Sequence, residues 1–174
     1  NRNKRSIALD TKQDDDLEVF HGLIASADIF IQNFRPGVAE RLGAGEEELR
    51  KINPKLVYCS ISGFGQTGPN SHRPGFGTLA EGYSGYAYIT GYPDRPPLLP
   101  GFGLADDSAG LMGAFLAMVA LQDKNRSGKG QVIDMAIYEP LFTLLGPQVV
   151  DFDQLGLVQE RNGSRLPFTA PRHT

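Results

Sequence analysis

The stretch GFGLADDSAGLMGAFLAMVAL, residues 101–121, decides the fold prediction, because glycines and two adjacent carboxylates lead directly into an uncharged apolar run. Asp106, Asp107 and Ser108 are good N-cap residues and mark the predicted helix start. Two basic residues followed by the sequence SGKG mark its end. The uncharged run from Leu111 to Leu121 is too short to span a membrane, so it predicts a helix buried in a protein core.

Asp106 is open to two interpretations. Free N–H groups and the helix dipole at a helix start favour the charged form of a carboxylate. Beside glycines that leave room for a substrate, a charged carboxylate can act as a nucleophile. The alternative is a pair of capping residues on a core helix, which is the commoner role for Asp at this position. Residue type alone favours the capping role, so the choice between the two roles depends on the rest of the sequence.

The composition of the 174-residue chain fits one globular core. A net charge of −3 gives no electrostatic reason to expect nucleic acid or an anionic membrane as a partner. The single cysteine, Cys59, excludes an intrachain disulfide and favours a reducing, cytoplasmic compartment. No signal peptide is visible, and the three histidines show no metal-ligand spacing. Without an initiating Met, the chain is expected to be a piece of a longer protein.

Strands alternate with helices along the chain, which predicts an α/β fold with a parallel sheet and flanking helices. The predicted strands are 6–9, 28–32, 56–62 and 131–137. The predicted helices are one starting at Asp14, then 38–42, 46–52, 78–88 and 138–155, the last split at Gly146-Pro147. Residues 91–100, rich in proline, are the predicted connector between an α/β part (1–90) and a second part (101–155). Residues 156–174 are the predicted start of a linker.

Glycine-rich motifs surround the central stretch. Residues 63–68 match G-x-G-x-x-G after a predicted strand, but Pro69 keeps the chain in a loop, so a dinucleotide site is rejected. The tripeptide Gly-Phe-Gly occurs at 63–65, 75–77 and 101–103. Three independent turns would explain it, and so would three loops that converge on one cleft.

A polar loop follows the strand predicted at 28–32. Ligands of open α/β sheets bind at the carboxyl ends of strands, where Asn33, Phe34 and Arg35 lie, with Arg41 shortly after. Two guanidiniums could hold phosphates while Phe34 stacks on a base. Solvated surface arginines would explain the same residues equally well.

Six segments together resemble the class III CoA-transferase family: NRNKRSIALD, IQNFRPGVAERLG, INPKLVYCSISGFGQTGP, RPGF, LADDSAG and SGKGQVIDMAIYE. That family includes formyl-CoA and carnitine CoA-transferases and α-methylacyl-CoA racemase. The resemblance implies the Rossmann-like large domain of such an enzyme, with coenzyme A as part of the substrate and no metal. It also implies an interlocked homodimer, and absence here of the family's opening strand–loop–helix unit and most of its second domain.

The resemblance also implies site residues. Asp106 occupies the position of the catalytic aspartate, and Asp107 a variable position beside it. Residues 9–12 match a segment lining the adenosine of coenzyme A, and 74–77 a loop along its pantetheine. The positions that match coenzyme A contacts are Leu9, Asp10, Thr11, Lys12, Asn33, Phe34, Arg35, Arg41, Pro74, Gly75, Phe76 and Gly77.

Two departures from the family pattern bear on activity. Racemases of the family need a histidine where this chain has Phe76, and proton exchange at a carbon needs a base on each face. Many members have Asp where this chain has Gly77, which leaves the substrate contacts open. The expected activity is transfer of CoA from an acyl-CoA to a carboxylic acid through an anhydride on Asp106. The alternatives are a racemase-like enzyme and a non-catalytic CoA-binding fragment.

Overall fold

A computed structural model describes residues 2–165 of the chain. These residues form two compact units. The first comprises the described residues up to Ser62 together with Gly113–Asp134, and the second comprises Gly63–Met112 together with the described residues from Met135 onward. The predicted linker at 156–174 extends into 166–174, which lie outside the described residues.

Strands and helices alternate over most of the described chain. The strands are β1 Ile29–Gln32, β2 Val57–Ser62 and β3 Val132–Ala136. The helices are α1 Asp14–Ser26, α2 Val38–Arg41, α3 Glu46–Ile52, α4 Gly77–Tyr83, α5 Tyr86–Ile89, α6 Leu104–Ser127, α7 Tyr138–Leu144 and α8 Gln148–Leu155.

The three strands form one sheet in the order β1-β2-β3. β1 and β2 run parallel, with Ile29 opposite Val57 and Gln32 opposite Ser60. The central strand β2 is almost entirely buried, as its continuous apolar sequence predicts. The predicted α/β fold with a parallel sheet and flanking helices is therefore confirmed.

The core of the first unit joins helices α1 and α3 to the sheet. Its buried residues are Ile24, Ala39, Ala44, Leu49, Leu56 and Tyr58. Leu49 and Leu56 are completely buried, and the Tyr58 hydroxyl donates a hydrogen bond of 3.0 Å to the carbonyl oxygen of Ala44. The neighbouring Cys59 is also buried, and burial raises the pKa of its thiol, so it behaves as a small core residue.

Helix α6 begins two residues earlier than predicted, at Leu104. Asp106 and Asp107 therefore lie inside the first turn instead of capping it. The earlier start is explained by a tertiary contact. Ala105 is completely buried, and its N–H donates to a carboxylate oxygen of Glu81, so a side chain from another helix caps the start of α6. The end of α6 at Ser127, followed by Gly128 at φ +74°, is as predicted.

Two other predicted elements differ in the structure. The predicted strand at 6–9 is wrong, because residues 4–10 form no regular element and no described strand pairs with them. The predicted single helix at 78–88 is divided into α4 and α5 by Gly85, whose φ of +91° is left-handed and interrupts a helix. The predicted break of the 138–155 helix at Gly146-Pro147 is confirmed, since α7 and α8 end and begin there.

The long helix α6 has an exposed apolar face within the described residues. Leu111 is 77% exposed, and Phe115, Met118 and Val119 are also exposed, so the described residues do not by themselves cover the helix on all sides. The side that packs inward carries alanines, including Ala109, Ala117 and Ala120. The exposed side needs a covering surface.

Helix α6 is also longer than its apolar run suggested. With 24 residues and a mean hydropathy of 1.5 over its most apolar window, it is long and apolar enough to cross a membrane by length and composition. The prediction that this element is too short to span a membrane is therefore wrong. Core helices of soluble proteins pass the same test, so the property alone does not place α6 in a bilayer.

Candidate active site

Three glycine-rich loops of the second unit converge around Asp106. Gly63 and Gly75 pack backbone against backbone, because a Cβ on Gly63 would lie 2.5 Å from the Cα of Gly75. Gly77 and Gly103 both face the Asp106 carboxylate. The three Gly-Phe-Gly tripeptides thus lie next to one another or to Asp106, and Phe76 and Phe102 are exposed instead of packed down as three separate turns would have them.

The Asp106 carboxylate fits into space that glycines leave free. A Cβ on Gly77 would collide with its Oδ2 atom, and one on Gly103 would lie 3.6 Å from the same atom. Asp106 itself is exposed and lies in the first turn of α6. An exposed carboxylate lined by backbone leaves room for an acyl group to approach, which is the arrangement a carboxylate nucleophile needs.

Sequence reasoning missed one acidic residue beside Asp106. Glu81 on α4 is only 3% exposed, and its Oε1 lies 3.4 Å from the N–H of Ala105. A buried carboxylate requires hydrogen-bond partners, and the N-terminus of a helix supplies them. The available signal was that Glu81 is the only charged residue in the apolar and glycine-rich segment TLAEGYSGYAY.

An aromatic cluster holds the loop from Gly63 to Phe76. The Phe64 ring packs edge-on against Tyr83 at 5.1 Å, and Tyr83 against Tyr138 at 4.9 Å. The Arg73 guanidinium lies 5.5 Å from the centre of the Phe64 ring. Burial raises the pKa of Tyr138, with the Glu139 carboxylate and Tyr83 adding to the effect, so this hydroxyl stays neutral. Pro74 and Phe76, in contrast, are exposed at the surface of this loop.

The loop after β1 in the first unit is built on a buried amide. Gln32 donates through Nε2 to the Ser60 hydroxyl at 2.7 Å, and its Oε1 accepts the Phe34 N–H at 2.7 Å. This bridge ties the ends of β1 and β2 together and fixes where the loop leaves the sheet. Phe34 is 41% exposed, and Arg35 is also exposed. The predicted stacking and phosphate-binding side chains are therefore open to solvent on a defined backbone.

Arg41 ends the short helix α2 in this loop region. Its Nη1 atom would lie 3.3 Å from a Cβ on Gly37, so the side chain folds back over the turn that follows Arg35. Gly37 has a φ of +80° and sits at the N-cap of α2. The structure thus brings Arg41 close to the turn that follows Asn33, Phe34 and Arg35.

The predicted adenosine segment, residues 9–12, forms the turn that leads into α1. Asp10 accepts a hydrogen bond from the Lys12 N–H at 3.2 Å, and its own N–H donates to Asp16 at 2.8 Å. These bonds shape the turn that leads into α1. Leu9 and Thr11 are partly buried, whereas Lys12 is exposed. Among the described residues no group of three or more His, Cys, Asp or Glu side chains is arranged to hold a metal ion.

Comparison with known proteins identifies the family. The model of CoA-transferase family III matches residues 1–174. The chain is 41% identical over 170 residues to succinyl-CoA–D-citramalate CoA-transferase of Chloroflexus aurantiacus, covering 98% of this chain and 42% of the relative. It is 40% identical over 172 residues to acetyl-CoA:oxalate CoA-transferase of Acetobacter aceti, covering 98% of this chain and 44% of the relative. The chain belongs to CoA-transferase family III.

A solved structure agrees with this assignment. The crystal structure of a CaiB/BaiF family protein from Brucella suis superposes with a TM-score of 0.91 at 39% identity, covering 98% of this chain and 45% of that one. The resemblance in the sequence motifs is therefore confirmed at the level of family and fold. The chain spans less than half the length of these relatives.

Proposed function

We propose that the protein containing this chain transfers CoA from an acyl-CoA to a carboxylic acid, with Asp106 as the nucleophile. Family membership supports CoA transfer, and the observation that carries the residue assignment is the carboxylate exposed between Gly77 and Gly103. Covalent catalysis suits this reaction because it divides one exchange between two acids into easier steps.

The proposed steps conserve every atom. A carboxylate oxygen of Asp106 attacks the thioester carbonyl carbon, the C–S bond breaks, and a mixed anhydride forms with release of the CoA thiolate. The thiolate then attacks the aspartyl carbonyl of that anhydride, which releases the donor acid and leaves an aspartyl–CoA thioester. The acceptor carboxylate attacks this thioester to form a second anhydride, and the thiolate attacks the acceptor's acyl carbonyl to give the new acyl-CoA and free Asp106.

The residues around Asp106 have supporting roles in this proposal. Backbone N–H groups in the glycine loops stabilise the oxyanion that develops at each carbonyl. Loop residues Pro74 to Gly77 lie along the pantetheine, and residues 9–12 lie along the adenosine. The names of the relatives suggest succinyl-CoA with citramalate and acetyl-CoA with oxalate as first substrate pairs to test.

A racemase-like activity is the weaker alternative, because the position of the second base carries Phe76, which cannot accept a proton. A branched acyl-CoA deuterated at its α carbon separates the two reactions in the full-length protein. We expect labelled carboxylate to exchange into the thioester while the deuterium is retained. Loss of deuterium without carboxylate exchange would contradict the transferase proposal.

The phosphates of coenzyme A are assigned to the loop after β1. We expect Arg41→Ala to weaken CoA binding by about 1.5–3 kcal/mol, the scale of a hydrogen bond to a charged group. Calorimetric titration of CoA into the full-length protein measures this change. Arg50→Ala is the matched control, because the Arg50 guanidinium pairs with Glu46 at 2.7 Å and its loss is expected to leave CoA affinity unchanged. Equal affinities of the Arg41 variant and the unchanged protein would contradict the assignment.

We assign the exposed apolar face of α6 to the subunit interface of an interlocked homodimer. Leu111, Phe115 and Met118 cannot remain exposed together on a stable soluble protein, and a second copy with the remaining segments of the chain would cover them. We expect the full-length protein to sediment as a dimer at micromolar concentration, and Phe115→Asp to shift it toward monomer or aggregate. A full-length protein that sediments as a soluble monomer would contradict this assembly.

A further inference from the structure

One face of helix α4 packs against the first turn of α6. Gly77 and Glu81 lie four residues apart, so they share a face of α4. Both are buried, although one lacks a side chain and the other carries a carboxyl group. Between them Ala80 packs in the same small core as Ala105, with Leu141 completing the cluster. Small residues on both helices allow this close approach.

Gly77 leaves the space that the Asp106 carboxylate occupies. A Cβ at Gly77 would collide with Oδ2 of Asp106 and would lie 3.1 Å from its Cγ. A Cβ at Gly103, in contrast, would lie at an ordinary van der Waals distance of 3.6 Å from the same oxygen. The observed orientation of the carboxylate therefore requires glycine at position 77.

Glu81 fixes the backbone that carries Asp106. Its Oε1 accepts the N–H of Ala105 at 3.4 Å, directly before Asp106 in the chain. The first N–H groups of a helix have no intrahelical acceptor, and Gly103 has no side chain that could cap them. The acceptor comes instead from α4, so α4 and the start of α6 are held together at this point.

We propose that Gly77 and Glu81 are positioning residues for Asp106: Glu81 fixes the start of α6, and Gly77 sets the direction of the carboxylate. The inference rests on the proposed function, in which Asp106 attacks the thioester.

The first test is Gly77→Ala in the full-length protein. The atom that the new Cβ meets is the end of a side chain, so Asp106 can rotate away while the fold is kept. A displacement of about 1 Å is enough to lower kcat by about 100-fold, and we expect KM for the acyl-CoA to change by less than about threefold. Gly82→Ala on the same helix is the matched control, because a Cβ there meets nothing within 4 Å. It is expected to retain full kcat.

The second test uses the acceptor on Glu81. Glu81→Gln keeps an oxygen at Oε1, whereas Glu81→Met has a similar length and no acceptor. We expect Glu81→Met to lower kcat by about tenfold or more, because misplacement of a reacting group slows the reaction. We expect Glu81→Gln to keep most of the kcat of the unchanged protein. Peptide mass analysis after acyl-CoA and hydroxylamine measures acylation of Asp106 in each variant.

The outcomes separate this inference from the function on which it rests. No acyl exchange in the unchanged protein would overturn the proposed function and this inference with it. Exchange in the unchanged protein, with equal kcat in Gly77→Ala, would overturn the inference alone. If Gly77→Ala does not fold, the two Glu81 variants test the inference. A kcat of Glu81→Met equal to that of the unchanged protein would overturn it. A lower kcat in Glu81→Met, together with a nearly unchanged kcat in Glu81→Gln, would support it.

Discussion

Asp106→Asn is expected to abolish acyl exchange in the full-length protein while CoA binding stays nearly unchanged. The amide is neutral and cannot form the anhydride, although Asn keeps the size and shape of the Asp side chain. Removal of a covalent catalytic group lowers kcat by about 10⁴-fold or more. Exchange of labelled carboxylate into the acyl-CoA measures the activity, and calorimetric titration measures CoA affinity.

Asp107→Asn is the internal control for this experiment. Asp107 is the adjacent residue on the same exposed turn, and its backbone N–H donates a hydrogen bond of 2.8 Å to the Gly103 carbonyl oxygen, which the substitution leaves in place. We expect the variant to retain most of the exchange activity. If Asp106→Asn stays active, or if the two variants lose activity equally, Asp106 has only a structural role at the start of α6.

Leu49→Ala is expected to cause the largest loss of stability in the first unit. Leu49 is completely buried, and it packs in the cluster that supports α2 and the loop after β1. Substitution of a buried Leu by Ala costs about 2–5 kcal/mol, because apolar contacts are lost and a cavity remains. Urea unfolding of the full-length protein measures the change, and weaker CoA binding should accompany it because Arg41 lies on the affected helix.

Leu23→Ala supplies the comparison for that loss. Leu23 is half exposed on α1 of the same unit, so the same substitution removes fewer buried contacts. We expect a cost of no more than about 1 kcal/mol. Equal losses of free energy of unfolding in the two variants would show that Leu49 does not have the core role assigned to it.

Elements with strong local signals were predictable from the sequence. Helix α3 has the predicted bounds Glu46–Ile52, because acids at its start, bases at its end and a following Asn-Pro act locally. The buried strand β2 was equally clear from its apolar run. The strand predicted at 6–9 failed because a short apolar run becomes a strand only when a neighbouring strand pairs with it.

The sequence singled out Asp106 as the candidate nucleophile, whereas it did not indicate the residues that surround it. Asp106 stood out from its glycines and its place before an apolar run, and the three Gly-Phe-Gly loops indicated a cleft. The helix start moved to Leu104 because Glu81 caps it from α4, which is a contact between distant parts of the chain. The role of Gly77 depends on the same contact, since only the fold shows which side chain fills the space it leaves.

Trapping of the covalent intermediate tests the central claim most directly. The full-length protein is incubated with an acyl-CoA and then with hydroxylamine, which converts an activated aspartyl group to a hydroxamate. We expect peptide mass analysis to find the hydroxamate on Asp106 and not on Asp107, and to find none when the acyl-CoA is omitted. A hydroxamate on Asp107, or no modified residue in a protein that exchanges acyl groups, would contradict the assignment of Asp106 as the nucleophile.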